Sequence, residues 1–341
     1  MNRFSYHRAG TIEEAVKALS DQPAARIIAG GTNLVDLMKY NVEKPSTLID
    51  VTRIDALKGI NETEDGGLRI GALVPNSTVA YDERVNVRFP LLASAILAGA
   101  TPQLRNAATT GGNLNQRTRC YYFYDVQTPC NKREPGSGCG AIGGLNRIHA
   151  ILGASEHCIA THPSDMCVGL AALGAEVHIA GPAGERVIPF ADYHRLPGDT
   201  PQHDNTLQPG EIVAAVVLPR GSQGYAGHYS YLKLRDRLSY AFALVSVAAA
   251  LEIEGGVIAS ARIALGGVAH KPWRRQDAED ALAGKTADER AFSEAASLLL
   301  SGARGHEHNA FKIDLAQRAI VRALAQAAAG TPQSQTDKRI A

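Results

Sequence analysis

All five cysteines of this 341-residue chain, Cys120, Cys130, Cys139, Cys158 and Cys167, fall within 48 residues, and the other 293 contain none. Such crowding gives the thiols a shared local role. A disulfide framework fits poorly: the number is odd, the N-terminal MNRFSYHRAGTIEEAV has no secretory apolar run or cleavage site, and the cytosol keeps thiols reduced. Synthesis in the cytoplasm is the expectation. Zinc sites usually contain a short C-x2-4-C pair, whereas nine, eight, eighteen and eight residues separate these cysteines. An iron-sulfur cluster tolerates wider spacing because four thiolates can converge from loops, and Arg117, Arg119, Lys132 and Arg133 would offset their charge. Iron-sulfur, zinc and uncommitted thiols all stay open at this level. Cys120, Cys130, Cys139 and Cys158 stand in loop-like sequence and form the candidate ligand set, with His149, His157 or His162 able to replace one of them. Cys167, within DMCVGLAALGAEV, reads as a small residue on an apolar helix.

Two glycine loops are the second constraint. RIIAGGTNL puts a short apolar strand directly before Gly30, Gly31, Thr32 and Asn33, with a helix following, and TTGGNL repeats the chemistry at Thr109–Leu114. Glycines let the backbone approach an anion, a helix N-terminus faces it, and Thr and Asn add donors, so two such loops could grip a pyrophosphate from both sides. The competing reading is a pair of ordinary turns. Neither loop fits G-x-G-x-x-G, and the literal match at Gly138–Gly143, GCGAIG, follows no strand and contains a cysteine.

The length exceeds one ordinary core. Residues 1–60 alternate strand and helix signals, with a capping box at Thr11 and Glu14 opening TIEEAVKALS. From 61 to 221, strand-like LRIGAL, RIHAILG, AEVHIAG and EIVAAVVLP surround the cysteine-rich insert at about 115–160. After a glycine-rich break near 222, YAFALVSVAAAL and GGVIASARIALGGVA predict antiparallel strands, and helices follow at 276–284, 287–301 and 309–328, making 222–330 an α+β unit. The tail 331–341 reads as disordered. Lys plus Arg is 35 against 34 for Asp plus Glu, which leaves no basic stripe for nucleic acid, and no apolar run is long enough to span a membrane.

The segments AGGTNL, RNAATTGGNLNQ, HPSDMCVGLAALGAEV, YLKLRDRLSYAFALVSVAAA and ALGGVAHKPWR resemble the FAD-binding subunit of the molybdenum hydroxylase (xanthine dehydrogenase) family over nearly the whole chain. RCYYFYDVQTPCNKREPGSGCGAIGG is similar to a 4Fe-4S insert found in some members, notably bacterial aldehyde oxidoreductases. The resemblance implies an α+β fold: a two-subdomain FAD-binding domain of the vanillyl-alcohol-oxidase type, then a C-terminal α+β domain like that of CO dehydrogenase flavoprotein. It implies that Arg26, Ile27 and Ile28 lead into a pyrophosphate loop of Ala29, Gly30, Gly31, Thr32, Asn33 and Leu34, opposed by Thr109, Gly112 and Asn113. It also assigns Asp165 to the ribose or adenine side, Ile212 to the adenine or flavin pocket, Lys233 to the isoalloxazine, and the cluster to Cys120, Cys130, Cys139 and Cys158. A charged strand residue facing water is the competing reading for Lys233.

The function implied by the resemblance is electron transfer within a heterotrimer. A molybdopterin-binding large subunit would oxidise an aldehyde, a 2Fe-2S small subunit would relay the electrons, and this chain would pass them through FAD to an external acceptor. Consistent with that, no set of nucleophile, base and orienting group stands out, and Asp204, Glu211 and Asp236 read as isolated acids. The alternatives are the flavin subunit of a related hydroxylase or hydroxybenzoyl-CoA reductase, a stand-alone FAD oxidase, and a metal-stapled scaffold whose glycine loops are only turns. Export to the periplasm on a partner's signal is the alternative to the cytoplasm.

Overall fold

Thr11 opens the first helix as the capping box predicts: its hydroxyl accepts the Glu14 amide at 3.1 Å, while the Glu14 carboxylate reaches back to the Gly10 amide at 2.7 Å. In the computed structural model, which describes residues 1–335 other than Ser239, this helix (Ile12–Asp21) joins β1 (Ser5–Arg8) to β2 (Ala25–Ile28). The helix Leu34–Lys39 then leads to β3 (Thr47–Asp50). The strands are parallel in the order β1-β3-β2, so β3 is central and buried at all four positions. A parallel sheet built from crossover helices buries its middle strand in this way.

The second sheet is antiparallel, in the order β4-β5-β8-β6-β7, from β4 (Ile60–Glu62), β5 (Leu68–Gly71), β6 (Glu176–Gly181), β7 (Gly184–Pro189) and β8 (Ile212–Leu218). The long connection from β5 to β6 carries the helix Pro90–Ala98, the second glycine loop, the cysteine segment and the helix Asp165–Ala172. The cysteine segment has one short helix, Tyr121–Tyr124, and an isolated bridge pairing Cys130 with Cys139. RIHAILG, expected as a strand, is not one. Its amides bond out of line, Ala150 to the Ile159 carbonyl and both Ile151 and Leu152 to that of Val268. Ala150, Ile151 and Leu152 are buried without joining a ladder.

The third sheet, β11-β10-β9, contains β9 (Tyr229–Leu234), β10 (Val245–Glu254) and β11 (Val257–Gly266). Gly255 and Gly256, at φ of 58° and 83°, form the two-residue turn between β10 and β11, a conformation that favours glycine at both positions. β10 is a partition between two cores. Ala248 and Ala250 pack into the core of the first two sheets, whereas Val247, Ala249 and Leu251 pack with the helices Glu289–Leu299 and Phe311–Ala328, as the period of two along a strand requires. The strand expected from Tyr240 begins only at Val245. The helix expected over 276–284 is confined to Gln276–Asp280. Of the tail expected to be disordered, residues 331–335 are described: Gln335 donates to the Tyr231 carbonyl at 3.0 Å and Gln333 accepts from the Lys233 amide at 3.3 Å. Residues 336–341 lie outside the described residues. Among the described residues no helix is long and apolar enough to cross a membrane.

Candidate functional site

The two glycine loops meet. A Cβ at Gly30 would lie 1.8 Å from the carbonyl oxygen of Ala107, so only glycine lets the first loop lie against the backbone leading into the second. Gly31 has φ of 68°, a conformation that other residues seldom adopt. In the second loop the Thr109 hydroxyl accepts the Gly112 amide at 3.3 Å, and the Gly111 amide bonds the Ala72 carbonyl at 2.8 Å. Asn113 is held from two sides: its amide donates to Asn76 at 2.9 Å, and its side-chain oxygen accepts from Ser164. Asn33 accepts the Arg117 amide at 2.9 Å.

Together these loops wall a cavity of about 810 Å3 whose lining includes Thr32, Asn33, Gly112, Asn113, Asp165 and Lys233, within the size range of cofactor pockets. Its other wall comes from the loop Tyr240–Leu244 and from Ser246 and Gly266 of the third sheet. Five buried nitrogens of lining residues have no hydrogen-bond partner among the described residues: Asn33 Nδ2, Arg105 Nε, Arg119 Nε, His149 Nδ1 and His162 Nε2. Buried polar groups are normally paired, so this wall fits a ligand rich in acceptors such as a dinucleotide. A depression of about 840 Å3 against the helices Glu289–Leu299 and Phe311–Ala328 contains none of the residues singled out from the sequence.

Lys233 faces the interior rather than water. Its ammonium donates to Asp165 at 2.8 Å and to the Ala98 carbonyl at 3.2 Å, with 1% of the side chain exposed. The other Asp165 oxygen accepts from the Tyr231 hydroxyl at 2.7 Å. The carboxylate expected to meet the ribose or adenine therefore has both oxygens engaged by β9, and it fixes the lysine at the cavity wall. Ile212 does not line the cavity; it is buried on β8 opposite Ala180. Arg26, Ile27 and Ile28 form β2, and Ala29, Gly30, Gly31 and Leu34 support the loop from behind Thr32 and Asn33 without lining the cavity. Asn76, Arg105, Arg119 and His149 had no signal as cavity residues, because each enters from a separate part of the chain.

The insert gathers its thiols. Cys120, Cys130 and Cys158 are buried in one cluster with Leu37, Phe123, Ala141, Ile159 and Ala160, and Cys139 packs against it. All are free. Burial pushes Cys120 up to about 12, helped by the neighbouring Cys130 and Cys139. Cys139 is brought down to about 6, chiefly by a hydrogen bond from Cys158, which is itself pushed up by that bond and by burial. The charge of Lys132 works against the rise at Cys158. Cys120 also lines the cavity, and its sulfur lies 3.1 Å from His149 Nε2. Burial, then the charge of Lys312, pushes His149 down to about 4, which keeps it neutral at pH 7.

The expected offsetting cations are mostly committed elsewhere. Lys132 donates to Asp204 at 2.6 Å, Arg117 pairs with Glu43 and Asp204, and Arg119 lies 3.5 Å from Asp36. Arg133 donates to the carbonyls of Tyr122 and Phe123 at 2.7 and 2.9 Å, bracing the insert. Asp204 is thus a half-buried hub rather than an isolated acid, while Glu211 and Asp236 pair with Arg186 and Arg147. Among the described residues, the one trio of His, Cys or carboxylate ligand atoms lying within 4.8 Å of one another is His162, Cys167 and His194. It suits a metal poorly. The Ser164 amide donates to His162 Nδ1 at 3.4 Å, which leaves the proton on the nitrogen that would have to coordinate. Burial pushes Cys167 up to about 12.

Residues 2–221 match the FAD binding domain in molybdopterin dehydrogenase, and residues 229–327 match the CO dehydrogenase flavoprotein C-terminal domain. The chain is 49% identical to the aldehyde oxidoreductase FAD-binding subunit PaoB of Escherichia coli, over 96% of this chain and 99% of that one. It is 27% identical to the carbon monoxide dehydrogenase medium chain of Afipia carboxidovorans, over 86% of this chain and 85% of that one. Quinoline 2-oxidoreductase from Pseudomonas putida 86 contains a chain of the same fold, with a TM-score of 0.73, 28% identity, and coverage of 97% of this chain and 98% of that one. The chain therefore belongs to the FAD-binding subunits of the xanthine dehydrogenase family of molybdenum hydroxylases, as an oxidoreductase flavoprotein subunit.

Proposed function

We propose that this chain is the electron-transfer subunit of a heterotrimeric, molybdenum-dependent aldehyde oxidoreductase, and that it holds a 4Fe-4S cluster on Cys120, Cys130, Cys139 and Cys158 beside its FAD. The observation that carries the reading is that three of these thiols share one buried cluster with the fourth, Cys139, packed against it, and that one of them, Cys120, also lines the cavity. The sequence spacing of the four cysteines, with no short C-x2-4-C pair, favours iron-sulfur over zinc. When bound, FAD would accept electron pairs and the cluster would pass single electrons.

The chain's residues supply binding and orientation. The loops at Gly30 and Gly112 bring Thr32, Asn33 and Asn113 to the cofactor, and Asp165 fixes the Lys233 ammonium at the wall. The apolar packing of Leu37, Phe123, Ile159 and Ala160 shields the thiols from water. Aldehyde is the substrate class favoured by the 49% identity to the aldehyde oxidoreductase subunit. The partners are then a molybdopterin-binding large subunit and a 2Fe-2S small subunit, with an external acceptor taking the electrons.

The test is the visible spectrum and iron content of the anaerobically purified complex, before and after dithionite, for the wild type and for Cys130→Ser and Cys167→Ser. Flavin bands over a broad shoulder that both bleach, with iron lost in Cys130→Ser and kept in Cys167→Ser, are expected. Flavin without the iron assigned to this subunit would remove the cluster from the reading. Flavin that stays oxidised when aldehyde is added to the complex would remove the aldehyde.

A further inference from the structure

Cys120 is the one insert cysteine on the cavity wall, and it has a polar partner there: His149 Nε2 lies 3.1 Å from its sulfur. The ring is held firmly for a residue in irregular backbone. Lys312 and Asn309 donate to the His149 carbonyl at 2.8 and 3.2 Å, and the rings of Tyr121 and Tyr122 flank the imidazole, each with its centroid 6.3 Å away. Nε2 is the ring nitrogen that meets the sulfur. A sulfur bound to iron is a thiolate with no proton to give, and the contact can then persist only as N–H donating to S.

We infer that His149 is a positioning residue that donates a hydrogen bond to the Cys120 sulfur and so raises the reduction potential of the cluster on its flavin-facing side. The inference rests on the 4Fe-4S reading above. Hydrogen bonds to ligand sulfurs are among the determinants of iron-sulfur potentials. An electron added to the cluster increases negative charge on its sulfurs, and a donor stabilises the reduced form more than the oxidised one. Cys130, Cys139 and Cys158 do not line the cavity. The donor therefore sits at the one cysteine that belongs both to the thiol cluster and to the cavity wall.

The experiment uses the assembled complex. EPR-monitored redox titration compares wild type with His149→Leu, which removes the donor, and His149→Gln, whose amide can restore it, with flavin and iron content measured on the same samples. The expected result is a roughly tenfold weaker reduction equilibrium in His149→Leu, which is about 59 mV for a one-electron couple, with recovery toward wild type in His149→Gln. Because a leucine could perturb assembly, a second measurement uses wild-type protein labelled with 15N-histidine. A single 15N coupling to the reduced cluster in pulsed EPR, absent from His149→Gln, is expected. An unchanged potential in cluster-loaded His149→Leu, or no 15N coupling in the wild type, overturns the assignment while leaving the cluster standing. A wild-type subunit without iron overturns both.

Discussion

Gly30→Ala tests the meeting of the two loops most directly. The added methyl carbon would sit 1.8 Å from the Ala107 oxygen and 2.7 Å from its carbonyl carbon, against ordinary contacts of 3.4 Å or more. Backbone, not a mobile side chain, is in the way, so one loop must retreat by more than 1 Å. Forcing extra volume into a packed contact costs about 1–3 kcal/mol, and if that strain is relieved by parting the loops it appears as lost FAD affinity. At 1.4 kcal/mol per factor of ten, the dissociation constant should rise by about 5- to 150-fold. Flavin fluorescence on titrating the deflavinated complex with FAD reads this out, with Gly221→Ala as the control, because nothing lies within 4 Å of a Cβ there. If Gly30→Ala binds FAD within threefold of wild type, the close approach is not what shapes the site.

Three further outcomes follow from buried charge. Lys233→Met leaves Asp165 buried without its cation and should cost about 3–5 kcal/mol, seen as a lower denaturation midpoint; an unchanged midpoint would mean that the pair is not formed. Asp204→Asn should loosen the cysteine segment by stranding Lys132, whose side chain is 1% exposed, and limited proteolysis within 120–158 should speed up. Asp50 gives a pH dependence: burial works to raise it, but hydrogen bonds from Tyr6, Thr52 and Arg8 prevail and hold it at about 2 against an ordinary 3.8. With its folded value depressed, its contribution of about 2 kcal/mol is fully present above about pH 4 and fades as the pH falls toward 2. Tyr6→Phe should therefore make acid unfolding begin at higher pH, and an unshifted acid midpoint would discount the Tyr6 contact.

Local chemistry was legible in the residues themselves. A hydroxyl three residues before a glutamate predicts the helix at Thr11, and paired glycines between apolar runs predict the turn at Gly255 and Gly256. The crowding of five cysteines marks a thiol site and separates Cys167, on its apolar helix, from the other four. These features depend on neighbours in the chain. Tertiary structure alone decided that Gly30 lies against Ala107, that Lys233 points inward to Asp165, that Asp204 ties the insert down through Lys132, and that RIHAILG is held by side bonds instead of a ladder. His149 reaches Cys120 across 29 positions, and the two glycine loops meet across about 80. Distances of that kind are set by how the sheets and helices pack, because spacing along a chain fixes which groups can meet only within a turn or two of backbone.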